Sequence, residues 1–302
     1  MKEIEKNFNV RIKITKDGLK FFSSEDIPSE LDQFIIDLFN IKRDKNILLS
    51  KEELKKSINS IKDKSYSLTR EYFVDIVFVS SKGKRIKPKS ENQRRYVELI
   101  RKKDLVFCVG PAGSGKTYLA IASALSYLFD KKVERIILTK PVVEAGEKLG
   151  FLPGTFLEKV DPHFRPLYDA LYDLIEVEKV TRLIENNIIE IAPLAYMRGR
   201  TLNDSFIILD EAQNTTYSQM KMFLTRMGFN SKVVITGDIT QIDIENPKDS
   251  GLVKAIKILE KIDDIGIVKL DKVDIVRNPI VQKIVEAYEN FENYKKKDKN
   301  KD

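Results

Sequence analysis

The chain has 302 residues, 42% of them hydrophobic and 33% charged, with a formal net charge of +7; this is enough apolar content for one substantial core plus a small second domain. No apolar run reaches the roughly 18 residues that a membrane span needs, and the N-terminus MKEIEKNFNV lacks a signal-peptide apolar region, so a soluble, cytoplasmic protein is expected. The one cysteine, Cys108, excludes a disulfide framework or a thiolate metal site within one chain.

The charge is unevenly spread. Residues 1–90 carry 20 Lys/Arg against 14 Asp/Glu, residues 91–290 carry 28 against 29, and residues 291–302 carry 5 against 3. The densest basic stretch runs from Ser81 to Arg95 and reads either as a solvated linker or as a contact for an acidic partner such as RNA.

Two strand-like runs, VRIKIT and LKFFSS, flank the turn Lys16-Asp17-Gly18. Helical patterns follow in PSELDQFIIDLFNI, with Leu31, Phe34, Ile35, Leu38 and Phe39 on one face, and in SKEELKKSINSIKDK behind the cap-like Ser50-x-x-Glu53. Residues 1–80 are thus expected as a small α+β domain, without a GXXG loop of the KH type. Residues 81–91 are expected as a basic linker, 92–290 as a nucleotide-binding domain and 291–302 as a disordered Lys-rich tail. The helix opening at Asn92-Gln93 precedes a phosphate-binding motif, and Gln93 could read adenine through its carbonyl and amide.

That motif is LVFCVGPAGSGKT, an apolar strand followed by Gly110, Pro111, Ala112, Gly113, Ser114, Gly115, Lys116 and Thr117 and then by a helical pattern. The backbone N–H groups of Ala112 to Lys116 are expected to face the phosphates of a nucleotide, with Lys116 on the β/γ-phosphates and the Thr117 hydroxyl on Mg²⁺. Further on come the strand ERIILTK, a helical region over 155–186 and the strand IIEIAP. The only histidine, His163, lies in that helical region and reads as a surface residue. FIILDE then delivers two acids at a strand end. Asp210 would hold Mg²⁺ and Glu211 would orient the attacking water. After a helix over 216–227, the strand KVVITGD leads to Asp238-Ile239-Thr240-Gln241, where an Asp or Gln could sense the γ-phosphate or simply form a hydrophilic turn. A helix over 250–262, the strand GIVKL and a closing helix IVQKIVEAYENF complete the chain.

The strings GPAGSGKTYLA, KPVVEAGEKLGFLPG, YMRGRTLNDSFIILDEAQNTTYSQMKMFLTRMG, TGDITQID and DIVRNPIVQKIVEAYE together resemble the PhoH-like ATPases, a family related to the N-terminal RecA-type lobe of superfamily 1 helicases. The resemblance runs from Gln93 to Glu289, with residues 1–80 matched in outline. It implies an α/β fold: a RecA-like P-loop NTPase with a mostly parallel sheet and helices on both faces, preceded by the small α+β domain. It implies ATP and Mg²⁺ as cofactors, bound by Gly110–Thr117 with Tyr118 alongside, and Asp210, Glu211 and Gln213 in a DEAQ motif. Gln241 is then the phosphate sensor and Arg277 a catalytic arginine, although Asn278 stands where relatives have His. It further implies RNA metabolism, with a metal-dependent rRNA endoribonuclease as partner. No PIN-type nuclease domain is present, so the chain resembles the short form and is not expected to cut RNA itself.

One RecA-type lobe lacks the arginine that a second lobe supplies, so the site is completed by a neighbouring subunit, by a protein partner, or not at all in a slow switch; a homo-oligomer in which Arg277 reaches a neighbour's γ-phosphate is the expectation. No Asn-Lys-x-Asp string argues for a GTPase, and Glu211 argues against a kinase. A nucleotide-gated scaffold that recruits a nuclease without turnover is the alternative of a different class. For RNA, the candidate contacts are Lys140, the 144–154 loop, Tyr196, Arg198 and Arg200; the same loops could instead form a subunit interface.

Overall fold

The computed structural model describes residues 2–15, 18–23, 27–45, 51–63, 76–142 and 156–276, together with 280, 281 and 284. The chain divides into two compact units, Met1–Lys87 and Pro88–Asp302.

In the first unit, helix α1 (Lys2–Phe8) leads into strands β1 (Val10–Thr15) and β2 (Gly18–Ser23), followed by helices α2 (Ser29–Lys45) and α3 (Lys51–Lys62). The strands pair antiparallel, with Arg11 opposite Phe22 and Lys13 opposite Lys20. Their period-2 alternation decides which face is buried. Val10, Ile12 and Phe21 turn toward a core shared with Ile4, Leu31, Phe34, Ile35, Ile58 and Ile61. Both strands and both helices expected from the sequence are found, and α1 is an addition to them.

Residues 81–91, expected as a linker, are more structured than that. Strands β3 (Phe78–Val79) and β4 (Arg85–Ile86) form a short antiparallel hairpin. Its turn is closed by Ser80 N–H donating to the Lys84 carbonyl at 2.9 Å, and Gly83 supplies the positive φ of 76° that the turn requires. A two-residue ladder is too short for alternation to reveal. The side chain of Ser90, still within the expected linker, caps α4 (Glu91–Lys102) by accepting from the Gln93 N–H at 3.2 Å.

The second unit is built on six strands: β5 (Leu105–Val109), β6 (Arg135–Lys140), β7 (Ile189–Pro193), β8 (Ser205–Leu209), β9 (Lys232–Gly237) and β10 (Ile265–Lys269). They form one sheet in the order β10-β5-β9-β8-β6-β7, and every pairing is parallel. Buried on both faces, such strands read as continuous apolar runs, as FIIL and KVVIT do. Helix α5 (Lys116–Phe129) follows β5, helices α6 (Phe156–Leu174) and α7 (Val177–Glu185) follow β6, and α8 (Tyr217–Leu224) and α9 (Gly251–Leu259) come later. One sheet face contributes Phe107, Ile137, Ile207 and Ile235 to a core with Met220 and Phe223 of α8 and Leu252 of α9. On the opposite face, Tyr127 of α5 meets the Phe206 ring edge-on, 5.3 Å between centroids. This is the α/β architecture with helices on both faces that the sequence predicts.

The helical stretch expected over 155–186 is two helices, broken at Ile175 and Glu176. The 144–154 loop, Arg277, Asn278 and the 291–302 tail lie outside the described residues. Among the described residues, no helix is long and apolar enough to cross a membrane.

Candidate nucleotide-binding site

Parallel strands all end on the same edge, so the loops after β5, β9 and β8, three adjacent strands, open into one crevice. A cavity of about 580 Å³ lies there. Ala112, Gly113, Gly115, Lys116 and Thr117 of the loop line it with Asp210, Glu211, Asp238 and Gln241, and Asp169 and Asp173 of α6 form part of its wall.

The loop after β5 has the backbone that a phosphate cradle needs. Gly113 and Gly115 have φ of 80° and 82°, where a side chain would be strained. Gly115 is the N-cap of α5 and offers no side-chain cap, so the first N–H groups of that helix are left for an anionic ligand. Lys116 is 9% exposed and donates from Nζ to the carbonyls of Gly110 at 2.7 Å and Pro111 at 2.8 Å. Burial pushes its ammonium below the usual lysine value, opposed by the negative charges of Asp238, Asp210 and Glu211 nearby. The Ala112 N–H, expected to face phosphate, donates to Asp238 Oδ2 at 3.1 Å.

Asp210 stands where the metal ligand is expected. Its Oδ1 accepts from the Thr117 hydroxyl at 2.7 Å and from the Thr236 hydroxyl at 2.7 Å. Thr236 opens the TGDITQID string, but no role is expected of it from the sequence; it stands one residue before the end of β9. A hydroxyl and one carboxylate, with no cluster of three His, Cys, Asp or Glu among the described residues, are the donor set that suits Mg²⁺, which takes its remaining ligands from phosphate and water. The residues present therefore fit a magnesium–nucleotide.

Glu211 has φ 51° and ψ 37°, a left-handed conformation uncommon outside glycine. Gln213 holds it: buried at 1% exposure, Gln213 donates from Nε2 to Glu211 Oε2 at 2.6 Å and to the Gln241 carbonyl at 3.1 Å. Its Oε1 accepts from the Asp238 N–H at 3.0 Å. One amide thus links the acid after β8 to the loop after β9. Gln241 lines the cavity and contributes its main-chain oxygen to that link.

Gln93 does not face the open crevice. It is 2% exposed, its Oε1 accepts from the Lys89 N–H at 2.7 Å, and its Nε2 donates to the Ser114 carbonyl at 2.9 Å and the Asp274 carbonyl at 3.3 Å. In the structure it braces the 110–117 loop from behind instead of being directed at a base. Tyr96 does similar work, its hydroxyl donating to the Lys116 carbonyl at 3.2 Å. Asp274, which opens the DIVRNP string without a role expected of it from the sequence, accepts from Asn92 Nδ2 at 3.0 Å and from the Asp271 N–H at 2.6 Å. Two residues on, Val276 N–H donates to the Gly113 carbonyl at 3.0 Å, so the chain immediately before Arg277 is fastened to the loop. Tyr118 points to the α6 wall, its hydroxyl donating to Asp173 at 2.6 Å; burial first and then Asp173 raise its phenol above the usual tyrosine value.

The residues considered for RNA are only partly brought together. Arg200 is held in a two-pronged pair with Glu190 at 2.5 and 2.7 Å, and this hydrogen bonding raises its already high pKa. Lys140 Nζ donates to the His163 carbonyl at 3.1 Å, and His163 is half-buried. Tyr196 is 45% exposed and Arg198 is exposed.

A family model described as PhoH-like protein matches residues 85–289. The chain belongs to the PhoH-like family. A PhoH-like protein of Bacillus subtilis is 48% identical over 290 residues, covering 96% of this chain and 90% of that protein. One of Mycobacterium bovis is 61% identical over 214 residues, covering 71% of this PhoH-like chain and 61% of the relative's length. Among solved structures, the large terminase of a thermophilic bacteriophage is similar with a TM-score of 0.40 and 14% identity, over 66% of this chain and 50% of that one. Family and site agree on a nucleotide-binding P-loop protein.

Proposed function

We propose that this chain binds ATP with Mg²⁺ and hydrolyses it, coupling the cycle to RNA. The observation that supports this most directly is the 2.7 Å hydrogen bond from Thr117 to Asp210, which joins the glycine-rich loop to the acid closing β8 across an intervening strand. A bound magnesium ion would be held by Thr117 and Asp210 and would neutralise charge on the phosphates. Lys116 supplies a buried positive charge at the phosphates. Glu211 orients and deprotonates the attacking water, while Gln213 fixes the carboxylate and reports the state of the Asp238–Gln241 loop.

A homo-oligomer, an RNA ligand and a metal-dependent endoribonuclease partner extend this reading. The oligomer reading depends on Arg277 being supplied to a neighbouring subunit's γ-phosphate. A second reading is a nucleotide-gated scaffold without turnover; the Thr117–Asp210 arrangement would serve ATP binding in either case.

ATP turnover by the purified full chain, with and without RNA and Mg²⁺, tests both. Magnesium-dependent hydrolysis abolished in Lys116→Ala and Glu211→Gln, with Glu211→Gln retaining ATP, supports the hydrolase. Tight ATP binding with no turnover above background in wild type supports the scaffold. No ATP binding at all removes both.

A further inference from the structure

The outward face of the β1–β2 ribbon is made of Arg11 and Lys13 from one strand and Lys20 and Phe22 from the other. All four are exposed, and Phe22 leaves 52% of its surface uncovered. A phenylalanine belongs in a core, and its neighbours in the alternation, Val10, Ile12 and Phe21, are placed there. Phe22 is held on the outside in register with cations. It lies directly opposite Arg11, and Lys13 Nζ sits 5.8 Å from its ring centroid. Beside it a groove of about 610 Å³ is lined by Glu5, Asn9, Val10, Arg11, Phe22 and Ser23. The one carboxylate there, Glu5, is engaged by the Ile12 N–H at 3.0 Å. Residues 1–80 as a whole are nearly balanced, 15 Lys/Arg against 14 Asp/Glu, so the three cations gathered on this face are a local concentration of charge.

We infer that this ribbon face is a binding surface for single-stranded nucleic acid. Phe22 offers a flat ring on which a base stacks, and Arg11, Lys13 and Lys20 meet the flanking phosphates. Duplexes present no free base face, and an acidic polypeptide has no ring to stack, so the aromatic among the cations selects for an unpaired strand. The inference is independent of the nucleotide site.

The test is fluorescence anisotropy of the full chain with a labelled 12-nucleotide uridine strand, without ATP, at two salt concentrations. Phe22→Ala is expected to weaken binding about 5- to 100-fold, while Phe22→Trp retains it. Replacing Arg11, Lys13 and Lys20 together by Ala is expected to lower the slope of log affinity against log salt by about 2. Circular dichroism of each variant checks folding, which an exposed side chain leaves intact. Unchanged affinity in Phe22→Ala, equal affinity for a duplex of the same length, or equally effective competition by polyglutamate would each overturn the inference. Because ATP is left out, these outcomes are separate from any failure of the ATPase reading.

Discussion

Asp238 Oδ2 accepts the Ala112 N–H at 3.1 Å, so a side-chain carboxylate and a bound phosphate would compete for the same main-chain donor. Asp238 Oδ1 meanwhile accepts from both the N–H and the hydroxyl of Thr240, at 2.9 and 2.6 Å. Asparagine preserves the Thr240 contacts and removes the negative charge. Asp238→Asn is therefore expected to bind ADP about 5- to 10-fold more tightly, the scale of one charge-assisted hydrogen bond and its repulsion. Titration calorimetry checks this; weaker binding by the variant would show that the carboxylate helps to hold nucleotide.

Lys116 gives a pH dependence with a definite sign. Its pKa is lowered from 10.5 by burial, so the unfolded chain binds more protons than the folded chain between the lowered value and 10.5. Stability contributed at this site thus rises with pH across that interval. Lys116→Met removes the buried charge. It should melt above wild type at neutral pH, and the gap should narrow as pH approaches 10.5. Scanning calorimetry of both proteins measures the gap; a gap that widens with pH contradicts the burial account.

At the root of the loop, Gly110 leaves no room for a side chain. A Cβ there would lie 2.6 Å from the Leu270 carbonyl oxygen and 2.8 Å from the Leu270 Cβ. Backbone cannot swing aside as a long side chain can. Gly110→Ala is expected to cost about 1–3 kcal/mol, read from the urea midpoint.

Gln213→Ala is expected to separate binding from chemistry. It leaves Glu211 without its 2.6 Å donor and the Asp238 N–H without its acceptor. Turnover should fall about 100-fold or more while ATP affinity changes little, because the hydrogen bonds of the Gln213 amide go to Glu211, Asp238 and Gln241 and not to the 110–117 loop. Single-turnover measurements distinguish the two.

Arg200→Ala addresses the loop considered for RNA. The two-pronged pair with Glu190, about one-third exposed, is worth about 1 kcal/mol. The variant is expected to lose that much stability and little RNA affinity, as read by denaturation and anisotropy together.

The residues of the 110–117 loop and the pair Asp210-Glu211 are legible in the sequence because their chemistry is contiguous: the strand, the turn and the ligand groups are neighbours along the chain. The parallel sheet is legible for a similar reason, since strands buried on both faces must be apolar throughout. What the sequence hides is assembled by packing. Gln93 reads equally well as a base reader or a brace, and only the fold shows its amide bonded to Ser114 and Asp274, 21 and 181 residues away. Arg200 reads as a free guanidinium until β7 brings Glu190 beside it. The β3–β4 hairpin is too short for any period to register, and Thr236 shows its bond to Asp210 only once β8 and β9 are paired.

The strand beneath the phosphate loop has a bearing on how the protein is made. β5 is paired by β9 and β10, and its loop is tied at Gly113 to Val276, 163 residues later. At a synthesis rate of about 5–20 residues per second, that interval amounts to about 8–30 s before the loop can be tied, and β5 has no partner until β9 emerges. A nascent chain on the ribosome cannot close this site until nearly all of the second unit has emerged, so nucleotide can stabilise the finished protein but cannot template its early folding.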